Sequence, residues 1–249
     1  MRIRWFSLGI LIIIVAAFTG CLNTRTGFGY ISAEPQLVLA FNDTHTEPEI
    51  VKADVAQKVY LTFDDGPDYT NTPMVLDILD TYGVKATFFV VGTNIAKNPE
   101  ILKDIVARGH ALGNHTYSHR YNEIYASSAS FLKSVKTNED LIYQLVRQRP
   151  SVVRDPGGVA RNNNSLKGVL HQNGYRLVHW NIDSYDSRKQ SSEGEDIVEN
   201  IRQQAMKKYL WSQMVILMHD GPGHINTVRA LPTIIEMLKS QGFEFEVLK

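Results

Sequence analysis

Val59-Tyr60-Leu61-Thr62-Phe63-Asp64-Asp65-Gly66-Pro67 decides the fold. Five β-branched, aromatic or aliphatic residues read as a strand, and Gly-Pro ends it abruptly, so two carboxylates stand at the strand's C-terminal edge. Side chains alternate along an extended backbone, so Asp64 and Asp65 are expected to point differently and to take different tasks. An ordinary turn with two solvated acids uses the same chemistry.

The same pattern recurs down the chain. Gln213-Met214-Val215-Ile216-Leu217-Met218 runs into His219-Asp220-Gly221-Pro222, Val178-His179-Trp180-Asn181-Ile182 into Asp183, and Val152-Val153 into Arg154-Asp155-Pro156-Gly157-Gly158. Between these runs lie helical patterns at Pro73 to Tyr82, Pro99 to Arg108, Ser165 to Asn173, Glu195 to Lys208 and Thr227 to Ser240. The longest helix carries a stripe of Phe131, Leu132, Val135, Ile142, Leu145 and Val146. Further strands are expected at Ala86 to Val91, Arg176 to Ile182 and Phe243 to Leu248. Strict βα alternation predicts parallel strands under covering helices, with functional groups at the strands' C-terminal ends.

His115-Thr116-Tyr117-Ser118-His119 puts two imidazoles four residues apart, on one face of a helical turn or converging in a tight loop. With Asp65 they make three protein ligands and leave a position for water, the arrangement of a catalytic zinc; cobalt, nickel or manganese accept the same donors. Two such histidines also occur on exposed helices. His219 is placed to protonate a leaving group. A carboxylate such as Asp183 beside an imidazole raises its pKa, and an arginine such as Arg154 keeps a carboxylate ionised, although either also fits a rim salt bridge.

Thr62-Phe63-Asp64-Asp65-Gly66-Pro67, His115-Thr116-Tyr117-Ser118-His119 and Leu217-Met218-His219-Asp220, in this order, resemble the polysaccharide deacetylase family, with its NodB-homology domain, known also as carbohydrate esterase family four. The resemblance covers roughly the last three quarters of the chain. It implies a distorted α/β barrel of about seven βα units and metal-dependent removal of acetyl groups from N-acetylated amino sugars, in peptidoglycan or a chitin-like polymer. Carried over, Asp64 is similar to the catalytic base, Asp65, His115 and His119 to the metal ligands, and His219 to the catalytic acid. Arg154 is similar to the arginine that orients the base, Asp183 to the carboxylate that tunes the acid, and Trp180 and Leu217 to apolar lining near the acetyl methyl. The third motif departs from the usual Arg-Pro-Pro-Tyr-Gly. Gly157 stands where an aromatic is usual and keeps only its backbone N–H for an oxyanion, and Asp155 brings a second carboxylate that could compete for Arg154. In the fourth motif Ser187, not tryptophan, follows Asp186. A glycan-binding protein that has lost catalysis is the competing reading.

Arg2 and Arg4 precede an apolar run from Leu8 to Phe18, of secretory-signal length and short for a membrane span of ~20 residues. Phe18-Thr19-Gly20-Cys21 resembles a bacterial lipobox, with Cys21, the only cysteine, as the lipidated residue. Residues 1–21 therefore read as lipoprotein signal and lipobox, 22–57 as a tether, and 58–249 as the catalytic domain. The expected protein is a monomer, anchored by lipid on the extracytoplasmic side of the membrane. Lys plus Arg equals Asp plus Glu at 26 each, so charge gives no support for nucleic-acid binding. His45, His110, His171, His179 and His224 belong to no matching motif; His224 is singled out because its Gly-Pro-Gly loop should overlie the site, and Tyr117, Tyr121 and Tyr185 are candidates to stack on sugar rings.

Overall fold

The computed structural model describes residues 56–188 and 194–249. The apolar run, Cys21 and nearly all of the expected tether lie outside them. In chain order the elements are β1 (Lys58–Asp64), α1 (Asn71–Thr81), β2 (Thr87–Val90), α2 (Gly92–Lys97), α3 (Pro99–Ala107), β3 (Ala111–Asn114), α4 (Tyr121–Ile124), α5 (Ser128–Val146) and β4 (Val152–Val153). There follow α6 (Asn164–Gln172), β5 (Arg176–Leu177), β6 (Ile182–Asp183), α7 (Gly194–Ala205), β7 (Met214–His219), α8 (Ile225–Ser240) and β8 (Glu244–Phe245), with a 3-10 segment at Pro156–Asn162.

Every strand pairing is parallel, in the order β5-β4-β3-β2-β1-β7-β6. The expected distorted α/β barrel is what forms. β8 pairs with Lys58 and Val59 at the start of β1, while β2 pairs with Thr62 to Asp64 farther along, so β8 wedges into the bottom of the β1–β2 seam. The expected single strand Arg176 to Ile182 is divided. β5 belongs to one end of the sheet and β6 to the other, and residues 178–181 span the break. The chain itself, and no strand ladder, links the two ends of the curled sheet there.

Alternation along β1 sorts the side chains. Val59, Leu61 and Phe63 face outward into the main core, against Val75, Leu76 and Leu79 of α1 and Leu231, Ile234, Ile235 and Leu238 of α8. A second apolar cluster of Phe89, Val152, Val178, Val215 and Leu248, with Tyr60 and Trp180 against it, fills the barrel interior. Thr62 and Asp64 share the inward face with Tyr60 by period two, so Asp64 stands at the barrel's C-terminal mouth. Because Asp64 and His219 are register partners across β1 and β7, the strand ladder alone sets them side by side.

Helix boundaries follow local chemistry. Pro99 occupies the first turn of α3, and the Ser127 hydroxyl accepts from the Ser130 N–H at the start of α5. α5 buries Phe131, Val135, Asn138 and Ile142, a polar residue in an otherwise apolar stripe. Asn138 explains itself by its partners: its Nδ2 donates to the Val90 carbonyl at 2.8 Å and to Asn114 Oδ1 at 3.1 Å, while Asn114 Nδ2 donates to the Val135 carbonyl at 2.8 Å. This fully buried amide pair ties α5 to the ends of β2 and β3 immediately before His115. Replacing Asn138 with Ala strips Asn114 of a buried donor and should lower stability by about 1–3 kcal/mol. Urea unfolding checks this; a midpoint at or above that of the wild type would refute it.

Candidate active site

Asp65 follows β1 in a left-handed conformation, φ 73°, and precedes a cis Gly66–Pro67 bond. That turn swings Asp65 back, so the two neighbouring aspartates converge where simple alternation predicted divergence: His115 Nε2 lies 3.7 Å from Asp64 Oδ2 and 3.4 Å from Asp65 Oδ1. Thr116 and His119 are also left-handed, at φ 67° and 54°, so the histidine pair is presented by a tight loop and not by a helix. Asn114 pins this loop, its Oδ1 accepting from the Thr116 N–H at 2.9 Å. His119 Nε2 comes within 3.2 Å of Asp65 Oδ1.

Asp65 Oδ1 is buried and accepts no hydrogen bond, yet faces two imidazole nitrogens. Donor atoms on one tetrahedral zinc stand about 3.4 Å apart, so these separations fit a divalent cation. The imidazoles are already in the required form at one position: His115 Nδ1 donates to the Arg154 carbonyl at 2.8 Å, which leaves Nε2 free as a ligand. Burial alone would raise the Asp65 pKa, but the adjoining imidazoles of His115 and His119 hold it well below the usual carboxylate range. Burial opposes charge on His115 too; Asp64 and Asp65 overcome it and raise its pKa, whereas burial depresses that of His119.

Arg154 projects through the barrel interior, wholly buried. Its Nη1 donates to Asp64 Oδ1 at 2.8 Å and to Thr62 Oγ1 at 2.7 Å, its Nε to the Val178 carbonyl at 3.2 Å, and its guanidinium lies 4.1 Å from the Phe89 ring centre. Asp155 does not take it away. The Asp155 carboxylate accepts from the Ala160 N–H at 2.5 Å and from the Tyr125 hydroxyl at 3.5 Å, and its other oxygen faces His179 Nδ1 at 3.5 Å. The extra acid thus staples the 3-10 segment that carries Gly157. Gly157 is left-handed, φ 68°, and the Tyr121 hydroxyl fills the position a Cβ there would need. Tyr121 also meets His119 edge-on at 5.7 Å, so a ring from the start of α4 stands where the third motif lacks one.

The carboxylate on His219 is Asp186, correcting the expectation of Asp183. Asp186 Oδ1 bonds His219 Nδ1 at 2.7 Å, and its Oδ2 accepts from the His219 N–H at 2.8 Å and the Thr227 hydroxyl at 2.7 Å. Asp183 instead caps its own turn, accepting from the Tyr185 N–H at 2.9 Å, with Arg188 Nη2 at 3.9 Å from its carboxylate. Tyr185 is left-handed, φ 58°, and this turn after β6 carries Asp186 back over the end of β7. The sequence signal for it is its place as the second aspartate of the fourth motif, just past a strand end. Leu217 is buried on the inward face two residues before His219, and Trp180 lies beside Gly158 with its ring centre 5.8 Å from the Arg154 guanidinium. Asn94, unmarked in the sequence, supports Asp65 by donating to its carbonyl at 2.8 Å.

A family model described as "Polysaccharide deacetylase" matches residues 52–178. The chain belongs to the polysaccharide deacetylase family. Across 79% of its length it is 38% identical to a Bacillus cereus peptidoglycan-N-acetylglucosamine deacetylase, covering 67% of that protein. A second Bacillus cereus protein of the same name is 32% identical over 81% of the chain and 72% of its own length. Among solved structures, a Streptococcus mutans CE4 esterase superposes with a TM-score of 0.72 at 31% identity, over 78% of this chain and 86% of that one.

Burial disfavours charge on His219, but Asp186, Asp64 and Asp65 outweigh it and raise its pKa to about 9. The imidazolium therefore persists below that pH and is lost above it. In metal-free protein, Asp186→Asn should bring the His219 titration down toward the ordinary value of about 6.5, while Asp183→Asn should move it far less. NMR titration of the His219 ring decides; a larger shift from Asp183→Asn would reverse the assignment.

Proposed function

We propose that the protein is a metal-dependent N-deacetylase that hydrolyses the acetamido group of N-acetylglucosamine in peptidoglycan, releasing acetate and leaving a free amine on the glycan. One observation carries this reading: Asp64 and His219, register partners on adjacent strands, flank the cluster of Asp65, His115 and His119 at one barrel mouth. The names of the relatives support the substrate.

Asp65 Oδ1 and the Nε2 atoms of His115 and His119 would hold the cation. When bound, a divalent ion polarises an amide carbonyl and makes water acidic enough to serve as nucleophile near neutral pH. Imidazole and carboxylate donors support zinc, with cobalt, nickel or manganese as acceptable substitutes. Asp64 has one oxygen committed to Arg154 and the other turned toward His115, so its carboxylate is held in place and directed to accept a proton from the attacking water. The Gly157 backbone N–H, with the Tyr121 hydroxyl packed beside it, is the donor this chain would offer to a carbonyl oxygen gaining charge. His219, bonded to Asp186 through Nδ1, keeps Nε2 to deliver a proton to the departing nitrogen. Without that proton the amine is a poor leaving group. Leu217 and Trp180 offer apolar surface for the acetyl methyl. A complete set of base, ligands and acid speaks against the inactive glycan-binding alternative.

The proposal extends to location. The apolar N-terminal run and the Phe18-Thr19-Gly20-Cys21 motif support a lipoprotein anchored through Cys21, facing the wall it would modify.

Asp64→Asn should cut acetate release from N-acetylglucosamine oligomers or peptidoglycan by a factor of about 10²–10⁴ with zinc binding retained. Unchanged release would remove Asp64 from the role of base. Chelation should abolish release and added zinc restore it; activity that survives complete chelation would contradict the metal assignment. The rate should fall with rising pH below about 9, the value for His219 in the metal-free site, because a cation on Asp65 offsets the carboxylate charge that helps hold the His219 proton.

A further inference from the structure

His224 sits at the N-terminal end of α8, and its ring stacks on that of His219, with centroids 4.9 Å apart and planes 22° from parallel. Its Nδ1 lies 3.9 Å from Asp186 Oδ2. The Asp186 carboxylate is 1% exposed, whereas the side chains of His219 and His224 are 13% and 18% exposed, so a walled-in acid sits behind two imidazoles that reach solvent. Asp186, His219 and His224 each offer a donor atom, all within 4.8 Å of one another, the same grouping as that of Asp65, His115 and His119. Two clusters of one acid and two imidazoles thus share one cleft.

We propose that Asp186, His219 and His224 form a second divalent-cation site, selective for imidazole-binding ions such as zinc, whose occupation inhibits the enzyme by occupying its catalytic acid. The inhibitory part rests on the deacetylase reading; the binding part does not. A tetrahedral ion wants its donors about 3.4 Å apart, so His224 must draw in by up to about an ångström while the 2.7 Å contact of His219 Nδ1 with Asp186 Oδ1 opens. His224 can supply that movement, because it follows Gly223, left-handed at φ 90° with open space around its Cα. The ion replaces the proton that His219 Nδ1 and Asp186 Oδ1 now share, entering as a dication while protons leave to solvent. An imidazole ligated this way no longer shuttles a proton to the leaving nitrogen.

Affinity should be lower here than at the first cluster. Asp186 Oδ2 is already engaged by the His219 N–H and Thr227, and the positive N-terminal end of α8 opposes a cation. At the first cluster Asp65 Oδ1 has no competing bond, and Asp64 adds a second carboxylate. One ion should therefore activate and a second, at higher concentration, inhibit. Magnesium and calcium, which prefer oxygen ligands, should do neither at the second site.

Zinc titration of the full chain by calorimetry, with zinc-to-protein ratios by elemental analysis, should give two equivalents, the second weaker. Asp65→Asn combined with His119→Gln should retain only the weaker one, and His224→Gln only the tighter one. Relative to each protein's own rate at limiting zinc, His224→Gln should raise the half-inhibiting zinc concentration at least about tenfold. A single equivalent in the wild type, or a weaker equivalent undiminished in His224→Gln, overturns the proposal. Anomalous scattering at the zinc edge from wild-type crystals in excess zinc gives a readout free of any variant: a peak among Asp186, His219 and His224 is expected, and peaks confined to Asp65, His115 and His119 refute the site. Absence of deacetylation with only the first, tighter ion bound would count against the function and leave the second site standing.

Discussion

A guanidinium buried inside a barrel is the constraint on which the rest depends. Arg154 has no exposed side-chain surface, and Asp64, its partner at 2.8 Å, is 5% exposed. Either charge alone in that interior would cost several kcal/mol, so each requires the other, and removing one partner leaves a stranded ion. The same residue works through its backbone: its carbonyl accepts from His115 Nδ1 and so turns Nε2 toward Asp65. One arginine thereby orients the base through its side chain and a metal ligand through its main chain. Its Nε, reaching the Val178 carbonyl, also satisfies the chain where the barrel lacks a strand ladder.

Around that pair the site divides into two halves, each an acid with two imidazoles. The half on the β1 and β3 loops rests on Asn114 and Asn138, whose amides hold the left-handed turn of the histidine loop. The half on β7 rests on Asp186, which reaches back over the strand end after the turn at Tyr185. The two halves differ in what each acid is committed to. Asp65 Oδ1 is left without a hydrogen bond, and Asp186 is fully engaged, which suits the first to a cation and the second to a proton.

The departures of the third motif show compensation within the same cleft. Asp155 turned out to be a staple for the loop instead of a rival for Arg154, and Tyr121 brings an aromatic ring and hydroxyl against the bare backbone of Gly157. Neither was visible in the motif itself, because Asp155 is spent on the backbone of its own loop at Ala160 and on Tyr125, 30 positions away, while the ring beside Gly157 comes from the distant Tyr121.

Period-two alternation and Gly-Pro breaks were enough to mark β1 and β7 and to set Asp64 and His219 at strand ends, because an extended backbone leaves no freedom over which face a side chain takes. Apolar stripes and proline or glycine punctuation likewise located the longer helices to within a few residues, though not the short α2 and α4, and the ordered motifs carried the family. Tertiary structure alone decided three things. The strand expected from Arg176 to Ile182 became two, because its ends pair with opposite edges of the curled sheet. The acid's partner moved from Asp183 to Asp186, because a left-handed turn spends the first carboxylate on its own backbone and aims the second. His224 came to lie on His219 because the loop before α8 folds over the mouth. Local sequence dictates which residues reach the rim; where a turn then sends a side chain depends on backbone angles that only the packed whole selects.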